Sequence, residues 1–294
     1  MENTFITKLK HFGLIVCLDM QRIPSFDIAK AIALGAVIFG HCSFGGAPTS
    51  LVDFSYSFNM PTFFFISGYF CKKEPLGAGA IKKSASSLLI PYAITSALLI
   101  FLLAMRAALL PSEQVLPTVA TWIVAALYGS GGVFPGMPEG VIAIGAIWYL
   151  WALFWGKILP ASINETKWPG ILAIVLFIVG VQTKDMIWLP LSIQPALCAV
   201  LFMLAGQKAR EAGLFDKGAL PPVLWVCALM TWLHCGAFYG QLYMVSNTYQ
   251  HGAIDVIGGI CGAAVLIKLG GLASERLPAA TRFLVWTGRN TRDI

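Results

Sequence analysis

Apolar residues in this chain run in blocks of about 20, separated by short connections rich in lysine, proline and glycine. A helix of that length crosses the ~30 Å of bilayer hydrocarbon, and a spanning segment must satisfy its own backbone polar groups. The blocks predict spans over residues 26–45, 54–71, 86–109, 141–160, 169–182, 190–206, 220–238 and 252–270. The stretch VLPTVATWIVAALYGSGG at 115–132 is shorter and bracketed by proline and glycine, and reads either as a ninth crossing or as a helix lying at the outer surface. RFLVWTGRNTRDI begins what reads as one more helix and then stops. The predicted fold class is all-α: a polytopic transmembrane helical bundle of about eight complete spans plus the start of a further one.

Composition agrees with the pattern. The 294 residues are 57% hydrophobic and 12% charged, with a mean hydropathy of +0.76, more apolar surface than a soluble domain can bury. Residues 1–25, with a basic stretch and the short run FGLIVCL, read as a cytoplasmic or interfacial lead-in, and 26–294 as one integral membrane domain. The net charge of +6 reports orientation. If eight segments cross and 115–132 does not, one side collects clusters such as Lys8 and Lys10, Lys72 and Lys73, Lys82 and Lys83, and Lys208 and Arg210. The other side holds only Arg106 and Lys184. Cytoplasmic connections carry the lysine and arginine excess, so the N-terminus is expected in the cytoplasm of a multi-pass cell (inner) membrane protein. No basic, aromatic-interleaved face suggests nucleic acid. The seven cysteines lie singly, without zinc or redox spacing, and no metal is expected.

Candidate chemistry begins in the first span, SFDIAKAIALGAVIFGHC. Lys30 and His41 are eleven residues apart, three helical turns plus about 20°, so they share one stripe roughly 16 Å long. Asp27, three positions before Lys30, is placed to pair with it. Ionisable groups at such depth should face a bundle interior or a wet cavity. Two readings stay open: a proton-handling base with a cation below it, or a histidine bonded to a neighbouring helix with Lys30 snorkelling to the interface.

Several strings in order change that balance. Lys30, ten residues and His41; MPTFFFISGY at 60–69; a basic stretch leading into LLIPY at 88–92; and Trp148-Tyr149-Leu150 together resemble the membrane acyltransferase 3 family. LPLSIQPALCAVLFMLAGQKAR and SNTYQHG are similar to its later parts, especially in the sugar O-acetylase branch, so the likeness runs over 22–290. The resemblance implies an O-acyltransferase moving an acyl group, acetyl foremost, from cytoplasmic acyl-CoA to a hydroxyl of an extracytoplasmic saccharide or glycolipid. It implies that His41 is the catalytic base or acyl-relay residue and that Lys30, with Asp27 beside it, belongs to the motif. An imidazole titrates near neutral pH, which suits the role independently.

Other roles are less specific. Lys72, Lys73, Lys82 and Lys83 ring the cytoplasmic mouth and suit the phosphates of coenzyme A, though orientation alone also calls for lysines there. Asn59, Trp148, Tyr149 and Asn247 are candidates to contact the acceptor. Tyr239, Tyr243 and Tyr249 read either as acceptor contacts or as ordinary interfacial residues, and His234 and His251 as simply bonded. The stretch 76–83 reads as a flexible connection.

Three departures from the family pattern stand out. Ser84 and Ser87 occupy an Arg-x-x-Arg pair, Asn59 stands where members often have histidine, and TGRNT looks like the start of a last helix whose remainder is missing. The last implies an incomplete final helix. The alternatives are therefore an inactive truncated remnant or, from another class, a proton-coupled transporter or flippase using the same polar stripe.

Overall fold

The computed structural model describes residues 23–43, 48–71, 77–110, 114–240 and 242–291. The helices are α1 (Pro24–Cys42), α2 (Thr49–Tyr56), α3 (Asn59–Phe70), α4 (Ala78–Leu109), α5 (Val115–Tyr128), α6 (Trp148–Asn164), α7 (Pro169–Gln182), α8 (Ile193–Glu211), α9 (Pro222–His234), α10 (Ala253–Arg276) and α11 (Pro278–Asn290). α9 runs on into a π-helical turn, Cys235–Tyr239. Before α10 comes the one departure from all-α among the described residues. It is a minimal antiparallel hairpin of β1 (Leu242–Tyr243) and β2 (Thr248–Tyr249), pairing Leu242 with Tyr249 and Tyr243 with Thr248.

The protein is a membrane-type helical bundle. Four helical segments among the described residues are long and apolar enough to cross a bilayer: Pro24–Cys42, Ala78–Leu109, Pro222–Tyr239 and Ala253–Arg276; α5 and α7 are apolar but shorter. Their outward faces carry what water would reject. On α4, Ile90, Ile94, Leu98, Phe101, Met105 and Leu109 recur every three or four residues and are all exposed. Such a stripe is stable against hydrocarbon and would be an aggregation surface in water.

α8 is the central strut. Twelve of its residues are buried, and α3, α6 and α7 pack around it. A lipid-immersed bundle gains no hydrophobic drive between helices, so close backbone approach must supply the packing. Gly68 of α3 and Gly206 of α8 supply it reciprocally. A Cβ on Gly68 would lie 2.0 Å from the Met203 carbonyl oxygen, and one on Gly206 would lie 2.0 Å from that of Phe65. A second cluster joins α1, α3, α9 and α10 through Phe26, Phe65, Trp232 and Ile267.

Several predicted boundaries need correction. The span at 54–71 is two helices, because Pro61 has no N–H to bond the Ser57 carbonyl and Ser55 and Ser57 turn their hydroxyls back onto Val52 and Phe54. The span at 141–160 starts only at Trp148. Gly129, Gly136, Gly140 and Gly145 all have positive φ and hold the preceding segment out of helix. The first span stops at Cys42, and 190–206 becomes Ile193–Glu211. The connection at 76–83 is helical from Ala78 onward, so Lys82 and Lys83 ride on the first turns of α4.

Candidate functional site

α1 carries Asp27, Lys30 and His41, and the fold places the first two and the last at its opposite ends. Asp27 is buried, Lys30 half-buried and His41 exposed in the last turn. At the Asp27 end, Lys30 Nζ lies 3.3 Å from one carboxylate oxygen, the neighbouring pair that the spacing predicts. Arg289 of α11 brings its Nε within 3.8 Å of the other. The approach is steric as well as ionic, because a Cβ on Gly288 would lie 1.9 Å from the Asp27 carbonyl oxygen. Lys82 and Lys83, on the first turns of α4, are exposed. Lys72 and Lys73 lie outside the described residues.

Asp27→Asn leaves Lys30 and Arg289 facing a neutral amide. The expected loss is about 1–3 kcal/mol, the usual cost when one partner of a charge-assisted contact is removed. It should appear as faster proteolysis within α11 in detergent, while Arg282→Gln, in which an exposed side chain of the same helix is changed, leaves cleavage unaltered.

At the His41 end a different set of groups converges. A Cβ on Gly40 would meet the Tyr56 hydroxyl at 2.8 Å, so the end of α1 rests on α2. The Tyr56 ring lies 4.9 Å from that of Tyr243, and the Tyr243 hydroxyl donates to the Asp53 carboxylate. Asp53 in turn lines a cavity of about 380 Å³ together with Ser50, Gln250, His251 and the π-helical turn. The turn reaches α2 because Gly236 lets it: a Cβ there would strike the Phe54 ring at 2.6 Å. His251 is anchored from behind, its backbone N–H donating to Asp255 Oδ2 at 2.9 Å and its Nδ1 lying 3.6 Å from Oδ1. Its ring packs against Tyr239 at 4.7 Å.

The acceptor candidates are spread through the bundle. Asn59 is fully buried at the start of α3, with its Oδ1 accepting the Met60 N–H and its Nδ2 lacking a hydrogen-bond partner. Trp148 and Tyr149 are buried in the first turn of α6, and the Tyr149 ring lies 5.0 Å from Phe64 and 5.9 Å from Phe63. Asn247 is buried with φ of 51°, and its Nδ2 donates to the Gly180 carbonyl at the far part of α7. That side chain ties the hairpin to the bundle. Among the described residues, no group of three or more His, Cys, Asp or Glu is placed to hold a metal.

Comparison with known proteins decides the class. An acyltransferase 3 family model, described as an acyltransferase domain, matches residues 23–292. The chain belongs to the acyltransferase 3 family. Neither a curated protein nor a solved structure matches it. The family match begins where α1 begins and takes in α11, so both partners of the Asp27 cluster lie inside this acyltransferase domain.

In this acyltransferase the sequence singles out neither Asp53, which lines the cavity, nor Asp255 behind it, and His251 reads there as simply bonded. One signal was present. In HGAID, Asp255 is the third residue of α10 and reaches back to the N–H two places before the helix, a relative of the capping box. Asp53 had no such signal, since its bond to Tyr243 joins segments far apart in the chain.

Burial raises the Tyr243 phenol above the ordinary tyrosine range, and the hydrogen bond and charge of Asp53 raise it further. A raised folded pKa favours the neutral phenol. The stabilisation is therefore complete below the ordinary value of 10.0 and is lost as pH climbs through the raised folded value. In an ultraviolet titration, Tyr243→Phe should remove one tyrosinate step from the high-pH end and leave the remaining steps in place.

Proposed function

We propose that this acyltransferase moves an acyl group, acetyl foremost, from acyl-CoA at the cytoplasmic face of the inner membrane to a hydroxyl of a saccharide or glycolipid on the other face. His41 serves as the base or as the residue that relays the acyl group. The observation that carries the reading is the single helix α1. It lies inside the matched acyltransferase domain and bears the Asp27–Lys30 pair at one end and the exposed His41 at the other, about 16 Å along the axis. Lysine excess on alternate connections supports an N-terminus in the cytoplasm and eight crossings, with α5 not counted among them. In that orientation Lys30, Lys82 and Lys83, with Lys72 and Lys73, face the compartment that supplies the donor, where point charges can hold phosphates. Asn59, Trp148, Tyr149 and Asn247 are proposed to shape the acceptor side. No metal enters the reaction.

As the acceptor hydroxyl attacks the thioester carbonyl, its proton passes to an imidazole, the carbon–sulfur bond breaks, and the thiolate leaves as coenzyme A. Inverted and right-side-out vesicles given acetyl-labelled acetyl-CoA test this. Label should enter envelope saccharide only when the cytoplasmic face is exposed to donor. Label-free saccharide, combined with solute uptake that follows a proton gradient, would favour a transporter instead.

A further inference from the structure

The cavity at the His41 end has no role in the sequence motif, and His41 is not among its described lining residues. It is nevertheless the place where chemistry-bearing groups converge. Its lining brings together His251, Asp53, the Ser50 hydroxyl, the Gln250 side chain and the aromatic Tyr239. Carboxylate, amide and hydroxyl around an aromatic ring can engage the hydroxyls and the apolar face of a sugar ring.

His251 is the group in that cavity built to handle a proton. Its side chain is 35% exposed, enough to meet a ligand, whereas the Asp255 side chain behind it is 3% exposed. Asp255 sits in the first turn of α10, where a carboxylate is stabilised by the helix dipole, and is also fixed by the His251 N–H. A carboxylate facing Nδ1 favours the tautomer with its proton there, which leaves Nε2 as the acceptor. The same logic orients the imidazole in acid–base triads. The charged or titratable groups against it are Asp255 from α10 and Tyr239 from the π-helical turn, and Asp53 from α2 lines the same cavity. Asp53 already accepts from Tyr243, so its carboxylate is held in place by a bond of its own.

We propose that His251, oriented by Asp255, is the catalytic residue that touches the acceptor hydroxyl, and that the cavity it lines is where the acceptor binds. This rests on the acyltransfer reading above and divides the work. His41 faces the acyl donor, and the end of α1 that bears it is joined to the cavity through Gly40, Tyr56, Tyr243 and Asp53. His251 faces the acceptor. The acceptor O–H proton passes to Nε2 of His251 as the oxygen bonds to the acyl carbon. The bond from that carbon to the donor sulfur breaks, the imidazolium returns its proton to water, and the thiolate takes up one proton from water.

The test uses the full chain in membranes, with labelled acetyl-CoA as donor and extracted envelope saccharide titrated as acceptor. His251→Ala is expected to lower kcat by about 10²-fold or more while saccharide-independent hydrolysis of acetyl-CoA continues, and added imidazole should restore part of the loss. Asp255→Asn should lower kcat less, without altering donor hydrolysis, and imidazole should not rescue it. His251→Gln, close in shape, keeps the test decisive if the alanine variant misfolds. Wild-type kcat and KM in a folded His251 variant would overturn the inference and leave the acyltransfer reading standing. A second readout is independent of turnover. Diethyl pyrocarbonate should modify His251 in the wild type, and saturating saccharide should protect it. Unprotected modification overturns the cavity's role. Protection in a protein that transfers no acyl group would instead sink the acyltransfer reading and keep the saccharide site.

Discussion

His41→Ala is expected to cut acyl transfer by about 10²- to 10⁴-fold, the range a positioned proton-transfer group supplies, here on the donor side. The same variant should remain folded. His41 is exposed in the last turn of α1, and substitutions at exposed positions away from special contacts usually shift stability by less than about 0.5 kcal/mol. Loss of transfer without loss of the monodisperse detergent-solubilised protein would therefore report chemistry alone. His41→Gln, which keeps a hydrogen-bonding side chain but no titratable nitrogen, should be as inactive as alanine. If either variant transfers label at the wild-type rate, His41 has no part in proton or acyl handling. Donor hydrolysis distinguishes the two histidines: it should fall in the His41 variants and persist in those of His251.

The largest effect on stability is expected where α3 and α8 touch. A methyl group at Gly206 has nowhere to go, because its nearest neighbour is a backbone oxygen 2.0 Å away rather than the end of a side chain that can swing aside. The helices must separate by more than an ångström, which strips contacts from α8 along its buried length. Overpacking of this kind costs roughly 1–3 kcal/mol and at times more. Gly206→Val should lower the thermal midpoint in detergent and the yield of extracted protein, and Gly68→Val should do the same. Gly79 is the matched control. It is helical, exposed, and has open space where its Cβ would stand, so Gly79→Ala is expected to be neutral or to stabilise α4 by about 1 kcal/mol. Equal behaviour of the two substitutions would mean that the helices do not meet at these glycines.

Much of the bundle was legible because lipid imposes a simple code. α7 falls on 169–182 as the apolar run predicts, α1 and α9 lie within about four residues of their predicted spans, and α10 starts within a residue of its predicted start and runs on to Arg276. The misses share a cause. Mean apolarity registers that a segment is buried or lipid-facing, yet it is blind to a missing N–H. The chain FSYSFNMPTFFF therefore looked continuous across Ser57, where proline and two back-bonded serines interrupt it. Likewise 141–147 is apolar without being helical, held open by glycines of positive φ.

At the site, local spacing served well and tertiary contact did not. Asp27 and Lys30 are three residues apart on one helix and do pair, while Arg289 reaches them from the opposite end of the domain, which no spacing foretells. Asn59 and Asn247 were candidates to contact the acceptor, and both are fully buried. Asn247 spends its amide on holding α7, as Gln194 does in bracing the turn before α8, its Oε1 accepting the Leu189 N–H and its Nε2 donating to Ile187. In an apolar bundle a polar residue stands out whether it serves chemistry or architecture.

The clasp between α1 and α11 also bears on biogenesis. The segment containing Asp27 leaves the ribosome first among the described helices, and Gly288 and Arg289 leave last. At ordinary elongation speeds the nascent chain spends some tens of seconds in the translocon without that final partner. Through this interval Lys30 alone neutralises Asp27, so the short-range pair helps the leading segment enter lipid before the distant arginine has been translated.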